Sequence, residues 1–174
     1  MNILFIGHSL IEFFDWQKRF PAHRVVNLGA AGEMVEGLLR RIGSITGKHD
    51  TADLIFIMSG LNDVAMEEFD FLDSFREIII RLRTAYPNAR IYIHSLLPTA
   101  VDFISNTSIR DVNGSLKEHA GELGIEYLDI YRDFTHDDGR VIREYLLTDG
   151  VHLSDKGYEV WSGVFEGIIN RGSL

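Results

Sequence analysis

The side chains with the most chemistry in this chain are a serine after an apolar run, an aspartate three residues before a histidine, and an asparagine in a glycine-containing turn. Ser9 follows the apolar run Asn2–Ile6 and the pair Gly7-His8. Its hydroxyl admits two readings. It can cap a helix by accepting a free backbone N–H, or it can be a nucleophile held exposed on a tight strand-to-helix turn. Asp149 and His152 stand in Leu147-Thr148-Asp149-Gly150-Val151-His152-Leu153-Ser154. Around one glycine they fit a single short loop, where the carboxylate can orient the imidazole and support its cation. The plainer alternative is a loop before the last helix, with Asp149 as turn former and Ser154 as cap. A single Asp-x-x-His would also suit half of a metal site. No second His/carboxylate cluster stands at ligand spacing, so no metal is expected.

Two further segments carry groups that could steady a developing negative charge. In Asn27-Leu28-Gly29-Ala30-Ala31-Gly32-Glu33, the glycines stand three apart in front of a helical pattern. They allow a tight turn with positive φ, or they leave the Gly32 backbone N–H unshielded and aimed at an oxyanion. A dinucleotide fingerprint fits poorly, because Asn27 stands where its first glycine is needed. In Ser59-Gly60-Leu61-Asn62-Asp63, Asn62 is either turn and cap chemistry or an amide donor to the same oxyanion. A hydroxyl nucleophile, a base, an orienting carboxylate and two oxyanion donors are together the parts list for acyl transfer.

Such parts must be brought together by the elements between them. Short apolar runs at Asn2–Ile6, Arg24–Leu28, Leu54–Met58, Arg90–Leu97 and Glu126–Ile130 are bounded by Gly, Ser or Pro and suit strands buried on both faces. Between them lie helical stripes. Met34, Leu38, Ile42 and Ile45 form the first, and Phe75, Ile78, Ile79, Leu82 and Tyr86 the second. Ile109, Val112, Leu116, Ala120 and Leu123 form a third, closed by Gly124, and Tyr158, Trp161, Phe165 and Ile168 a fourth. This β-α alternation predicts a parallel sheet covered by helices on both faces. Ligands then bind beyond the carboxyl ends of the strands, which is where Ser9, Gly32 and Asn62 fall.

With these blocks assembled, the chain resembles the SGNH (GDSL-type) hydrolases. Ser9, Gly32, Asn62 and His152 follow the family order, with Asp149 in its Asp-x-x-His. Gly60-Leu61-Asn62-Asp63 matches the Gly-x-Asn-Asp block. Asp149-Gly150-Val151-His152-Leu153 followed by Gly157 is close to the last block. The resemblance runs from residue 3 to about 170. It departs at His8, where the family usually has Asp, and at Glu33, where it often has Asp. His8 either packs and hydrogen-bonds locally or tunes the pH profile near 6–7, where imidazole titrates (about 6.5).

The resemblance implies an α/β, three-layer α/β/α sandwich with a five-stranded parallel sheet, flavodoxin-like in outline, as a single domain over residues 1–174. It implies catalysis by Ser9, Asp149 and His152, an oxyanion hole of the Ser9 and Gly32 N–H groups and the Asn62 amide, and a shallow open site. No cofactor is expected.

The substrate is less specified. Phe13, Phe14 and Trp16 could line an acyl or sugar pocket or pack the first helix on the sheet, and Phe103, Ile104 and Tyr145 lie on loops that could reach the site. Short connections at 10–23 and 64–74 predict no large lid, and so a small-molecule ester with a short acyl group, such as acetyl on a small alcohol or carbohydrate. Thioesterase or acyltransferase chemistry on the same residues, a catalytically silent binding protein and a flavodoxin-like cofactor binder remain as alternatives. His23, His49, His94, His119 and His136 show no partner pattern.

Composition narrows the classes further. With 17 Lys and Arg against 26 Asp and Glu, the formal charge is −9, which repels phosphate backbones and anionic lipid heads. Nucleic acid and membrane are therefore not expected partners. The chain has no cysteine, which removes disulfides, thiolate metal sites and a Cys nucleophile. Its first apolar run is too short for a signal-peptide core, so a cytoplasmic location is expected.

Overall fold

The computed structural model describes residues 1–171. Strands β1 (Asn2–Gly7), β2 (Arg24–Gly29), β3 (Leu54–Met58), β4 (Arg90–His94) and β5 (Glu126–Leu128) form one sheet in the order β2-β1-β3-β4-β5. Every pairing is parallel, which is the α/β architecture the alternating pattern predicts. Ile3–Ile6 of β1 and all of β3 are buried, as unbroken apolar runs in central parallel strands must be. β2 and β5 depart from that expectation. They are the edges of the sheet, and their residues are half-buried or exposed.

β4 also ends sooner than its apolar run, at His94 rather than Leu97. The Asn113 side chain intercepts the backbone there. Its Oδ1 accepts from Leu96 N–H at 2.6 Å and its Nδ2 donates to Leu96 O at 2.9 Å. Both groups a further strand residue would offer sideways are thereby used. β5 is cut to three residues in a comparable way, because Ser95 Oγ accepts from both Ile130 and Tyr131 N–H at 2.9 Å.

One face of the sheet carries α3 (Val35–Lys48), α5 (Leu72–Ala85) and α6 (Asn106–Leu123), with α3 packed on α5 and α5 on α6. Their buried stripes are those the periodicity predicts, and α6 stops at Gly124 in the left-handed region, φ 62°. Met34 stands just before α3, as its N-cap, rather than inside it.

The opposite face is aromatic. Phe5, Phe56 and Tyr92 occupy one row across β1, β3 and β4, with ring centroids 5.1 and 5.2 Å apart. The one-turn helices α1 (Ser9–Glu12) and α2 (Trp16–Arg19) and the long α7 (Asp155–Arg171) cover it. Trp16 stacks on Phe5 at 4.1 Å, Phe165 of α7 meets Phe5 at 5.3 Å, and the Trp16 indole N–H donates to Ile11 O at 2.8 Å. Trp16 is therefore core, not pocket. Aromatic pairs of this kind add about 0.5–1.5 kcal/mol each beyond area burial.

β1 lies between β2 and β3, so chain segments leave its two sides over opposite faces of the sheet. That is the topological switch point at which open α/β sheets bind ligands. Short α4 (Leu61–Ala65) follows β3 at the same edge. Among the described residues, no helix is long and apolar enough to cross a membrane.

Candidate active site

Gly7 ends β1 in register with Gly29 on one side and Met58 on the other. The chain then turns sharply into α1. The residue that caps this helix is His8, whose Nδ1 accepts from Leu10 N–H at 3.5 Å, and not Ser9. Ser9 is the first helical residue, and its hydroxyl is left for another partner. His152 Nε2 lies 3.0 Å from Ser9 Oγ, across 143 positions of sequence. His152 Nδ1 lies 2.8 Å from Asp149 Oδ2.

The loop that carries these two side chains is tightly held. Leu147 N–H donates to His152 O at 2.7 Å, and Gly150 N–H donates to Leu147 O at 3.0 Å. Gly150 has φ 73°, which suits glycine, and its carbonyl accepts from Ala100 N–H at 2.7 Å. Asp149 Oδ1 accepts the N–H groups of Val151 and His152, each at 2.9 Å. The two readings of Asp149 thus coexist: one oxygen shapes the turn and the other faces the imidazole. Desolvation pushes the Asp149 carboxyl up, but the Val151 and His152 N–H groups and the imidazole outweigh it and hold it below the usual carboxylate range. An ionised Asp149 only accepts, so Nδ1 carries a proton, and in the neutral imidazole Nε2 is the acceptor for the Ser9 hydroxyl. Ser154 keeps the capping role assigned to it, accepting from Gly157 N–H at 3.3 Å.

Gly32 and Asn62 stand beyond the neighbouring strand ends. Gly32 has φ 72° and open space where a Cβ would lie, and its N–H has no partner among the described residues. Asn62 Nδ2 donates to Glu33 O at 2.9 Å, which fixes the amide beside Gly32 and leaves its second N–H unspent. Asp63 accepts from Val35 N–H at 3.3 and 3.2 Å, placing a carboxylate at the N-terminus of α3. Burial raises the Asp63 carboxyl above its ordinary range despite that donor.

The supports of this turn were not legible as functional residues. Arg41 pairs with both Glu33 oxygens at 2.6 and 2.7 Å and also donates to Leu28 O at 2.8 Å. Glu12 Oε2 accepts from Ala31 N–H at 2.5 Å, and Asn27 Nδ2 donates to Ile11, Glu12 and Phe14 carbonyls at 2.9, 3.1 and 3.0 Å. Glu33 and Arg41 are eight apart, a spacing that signals no helical pair. Asn27 had a visible signal in its motif, but not this bonding role.

His8 is buried, its Nε2 lacks a partner among the described residues, and burial, with the nearby His152, pulls its pKa down to about 4. It is a neutral cap at pH 7: of its two readings, local packing and hydrogen bonding fits the structure and titration near 6–7 does not. His94 ends the aromatic row, buried against Phe56, Trp161 and Phe165, and burial lowers it to about 3. Both pKa values lie below the ordinary 6.5, so the unfolded chain takes up protons first as pH falls. Stability present above about 6.5 is therefore lost on acidification, by about 3 kcal/mol per pH unit for the pair until the folded-state pKa values are reached. The urea midpoint should fall clearly between pH 7 and pH 5, and less so in His94→Phe. An unchanged midpoint would mean that neither imidazole is buried as a neutral group.

Of the aromatic residues flagged after Ser9, Phe14 stacks on Tyr158 at 4.4 Å, and Phe13 alone stays open, 57% exposed, with its ring 5.3 Å from that of His152. Ile104 is buried and the Tyr145 ring meets Phe134 edge-on at 5.6 Å, so neither is free to line the site; Phe103 is exposed. Among the described residues there is no group of three or more His, Asp or Glu placed to hold a metal.

A parallel sheet in this order, with helices on both faces, is the fold of the GDSL/SGNH hydrolases. The sequence pattern of the GDSL-like Lipase/Acylhydrolase family matches residues 13–160, and the chain belongs to that family. The match contains Gly32, Asn62, Asp149 and His152, while Ser9 lies just before it. Comparison with curated proteins gives no match. Among solved structures, the chain is similar to a Streptococcus pneumonia protein whose name refers to platelet activating factor, at 29% identity and TM-score 0.85, over 96% of this chain and 83% of that one. It shares its fold with a lipase/acylhydrolase from Enterococcus faecalis, at 20% identity and TM-score 0.76, over 98% and 96% of the two chains. It also shares it with an acetyl xylan esterase from Geobacillus stearothermophilus, at 19% identity and TM-score 0.73, over 92% and 90%.

Proposed function

We propose that the chain is a serine esterase that cleaves short acyl esters through a covalent acyl-enzyme. The observation that carries this reading is the continuous hydrogen-bonded row from Ser9 Oγ to His152 to Asp149, at 3.0 and 2.8 Å. Ser9 Oγ attacks the ester carbonyl while His152 Nε2 takes its proton. Asp149 holds the imidazole in the Nδ1–H tautomer and supports its cation. The Ser9 and Gly32 N–H groups and the second amide N–H of Asn62 receive the oxyanion. The carbonyl re-forms as the leaving alcohol departs with the proton, and water, deprotonated by His152, then frees Ser9.

A short acyl group is supported by the short connections at 10–23 and 64–74, which leave little surface to bury a long alkyl chain. The substrate is then a small-molecule ester, with an acetylated carbohydrate as one form of it. An ester panel varying acyl length, run beside Ser9→Ala, tests the reading. Turnover of acetyl esters that falls with acyl length and vanishes in Ser9→Ala supports it. Undiminished turnover in Ser9→Ala removes Ser9 as nucleophile. Asn62→Ala should lower kcat about 10²–10³-fold with little change in KM. A pure KM effect would take Asn62 out of the oxyanion hole.

A further inference from the structure

We infer that the cavity flanking His152 receives the leaving alcohol of the ester and favours alcohols with an apolar or aromatic body, an inference that rests on the acyl-transfer reading above. The cavity has a volume of about 550 Å³ and includes Phe13, Phe14, Leu147, His152 and Tyr158 in its lining. Its floor is fixed: the Phe14 ring lies on that of Tyr158, whose hydroxyl donates to Leu10 O at 2.9 Å. Phe13 and Leu147 are 57% and 51% exposed beside a polar imidazole. What sets these two apart from other exposed apolar residues is that both line one cavity with the imidazole. Lys156 Nζ pairs with Glu144 Oε2 at 2.7 Å, and Asp155, also in the lining, leaves a net negative charge that disfavours an anionic alcohol.

Reaction direction decides what sits there. When the tetrahedral intermediate collapses, the bond from the carbonyl carbon to the alcohol oxygen breaks. The proton on His152 Nε2 passes to that oxygen, and the acyl group stays on Ser9 Oγ. The departing oxygen must lie within hydrogen-bond reach of Nε2. The rest of the alcohol then extends along the imidazole, over Phe13 and Leu147. The oxyanion points instead toward Gly32 and Asn62.

The test holds the acyl group constant. For methyl, butyl, cyclohexylmethyl and benzyl acetates, kcat/KM should rise with the apolar size of the alcohol. Phe13→Ala and Leu147→Ala should each lower the benzyl-to-methyl ratio of kcat/KM about 10-fold, within the range of hydrophobic-pocket discrimination. Ile80→Ala, a similarly exposed residue on α5, should leave the ratio unchanged. An unchanged ratio in Phe13→Ala and Leu147→Ala, or a changed preference for acyl length instead, overturns the assignment of the cavity. Labelling by a fluorophosphonate separates the two levels. A wild-type chain that labels at Ser9 and cleaves acetates but ignores the alcohol refutes this inference alone. One that neither labels nor cleaves refutes the acyl-transfer reading and this inference with it.

Discussion

His152→Ala should turn over p-nitrophenyl acetate about 10⁴–10⁶-fold more slowly than the wild-type chain at pH 7. A serine hydroxyl is a weak nucleophile while it keeps its proton. His152 Nε2, 3.0 Å from Ser9 Oγ, is the group placed to remove it during attack. The same nitrogen deprotonates the water that frees the acyl-enzyme, so one substitution slows both acylation and deacylation. Ser9→Ala should cost as much, and the double variant little more, because the residues act as a unit. Asp149→Asn should lower kcat by about 10⁴. The amide would offer donors as well as an acceptor where the structure needs only acceptors, for the Val151 and His152 N–H groups and for Nδ1. Steady-state kinetics on the purified variants checks all four, and additive losses in the double variant would show that Ser9 and His152 do not work together.

Gly7→Ala should destabilise the fold by at least about 3 kcal/mol, read as a lower urea midpoint, and lower kcat about 10²-fold in what still folds. A Cβ at Gly7 would lie 2.1 Å from Met58 O and 2.9 Å from Ile11 Cγ1. The first is backbone of the adjacent central strand and cannot rotate away, and β1 is itself paired on both sides. Relief must come from displacing the end of β1, two residues before Ser9. A shift near 1 Å there breaks the approach of Ser9 Oγ to His152, hence the kinetic loss. Gly29→Ala meets the same obstacle at Glu12 N, 2.2 Å away. Wild-type stability in Gly7→Ala would contradict the close approach of β1 and β3 at this edge.

Much of this architecture was written in local pattern. Ile3–Ile6 and Leu54–Met58 have no polar residue to offer water, so they read as central strands and are. The edges were harder. Arg24–Leu28 is apolar in three of five positions, and only the order of strands, a long-range property, shows that it lies outside. Where Arg90–Leu97 would stop pairing depended on Asn113, a helical residue 17 positions beyond Leu96. The convergence of Ser9, Asp149 and His152 was legible because Ser9 stood at the end of a recognisable run and Asp149 and His152 on one short loop with complementary chemistry. The role of His8 was not, because packing and titration were both open to it, and only its burial and the bond from Leu10 N–H show that it caps α1. Glu12, Arg41 and Asp63 hold the Gly32 turn through partners 8 to 28 residues away, separations that carry no periodic signal.

The most direct measurement is covalent labelling of the intact wild-type chain by a fluorophosphonate, followed by mass mapping of the modified peptide. One equivalent should attach at residue 9, and His152→Ala should slow that attachment by orders of magnitude while remaining folded. Modification elsewhere, no modification at all, or equally fast modification without the imidazole would contradict the assignment of Ser9 as a nucleophile activated by His152.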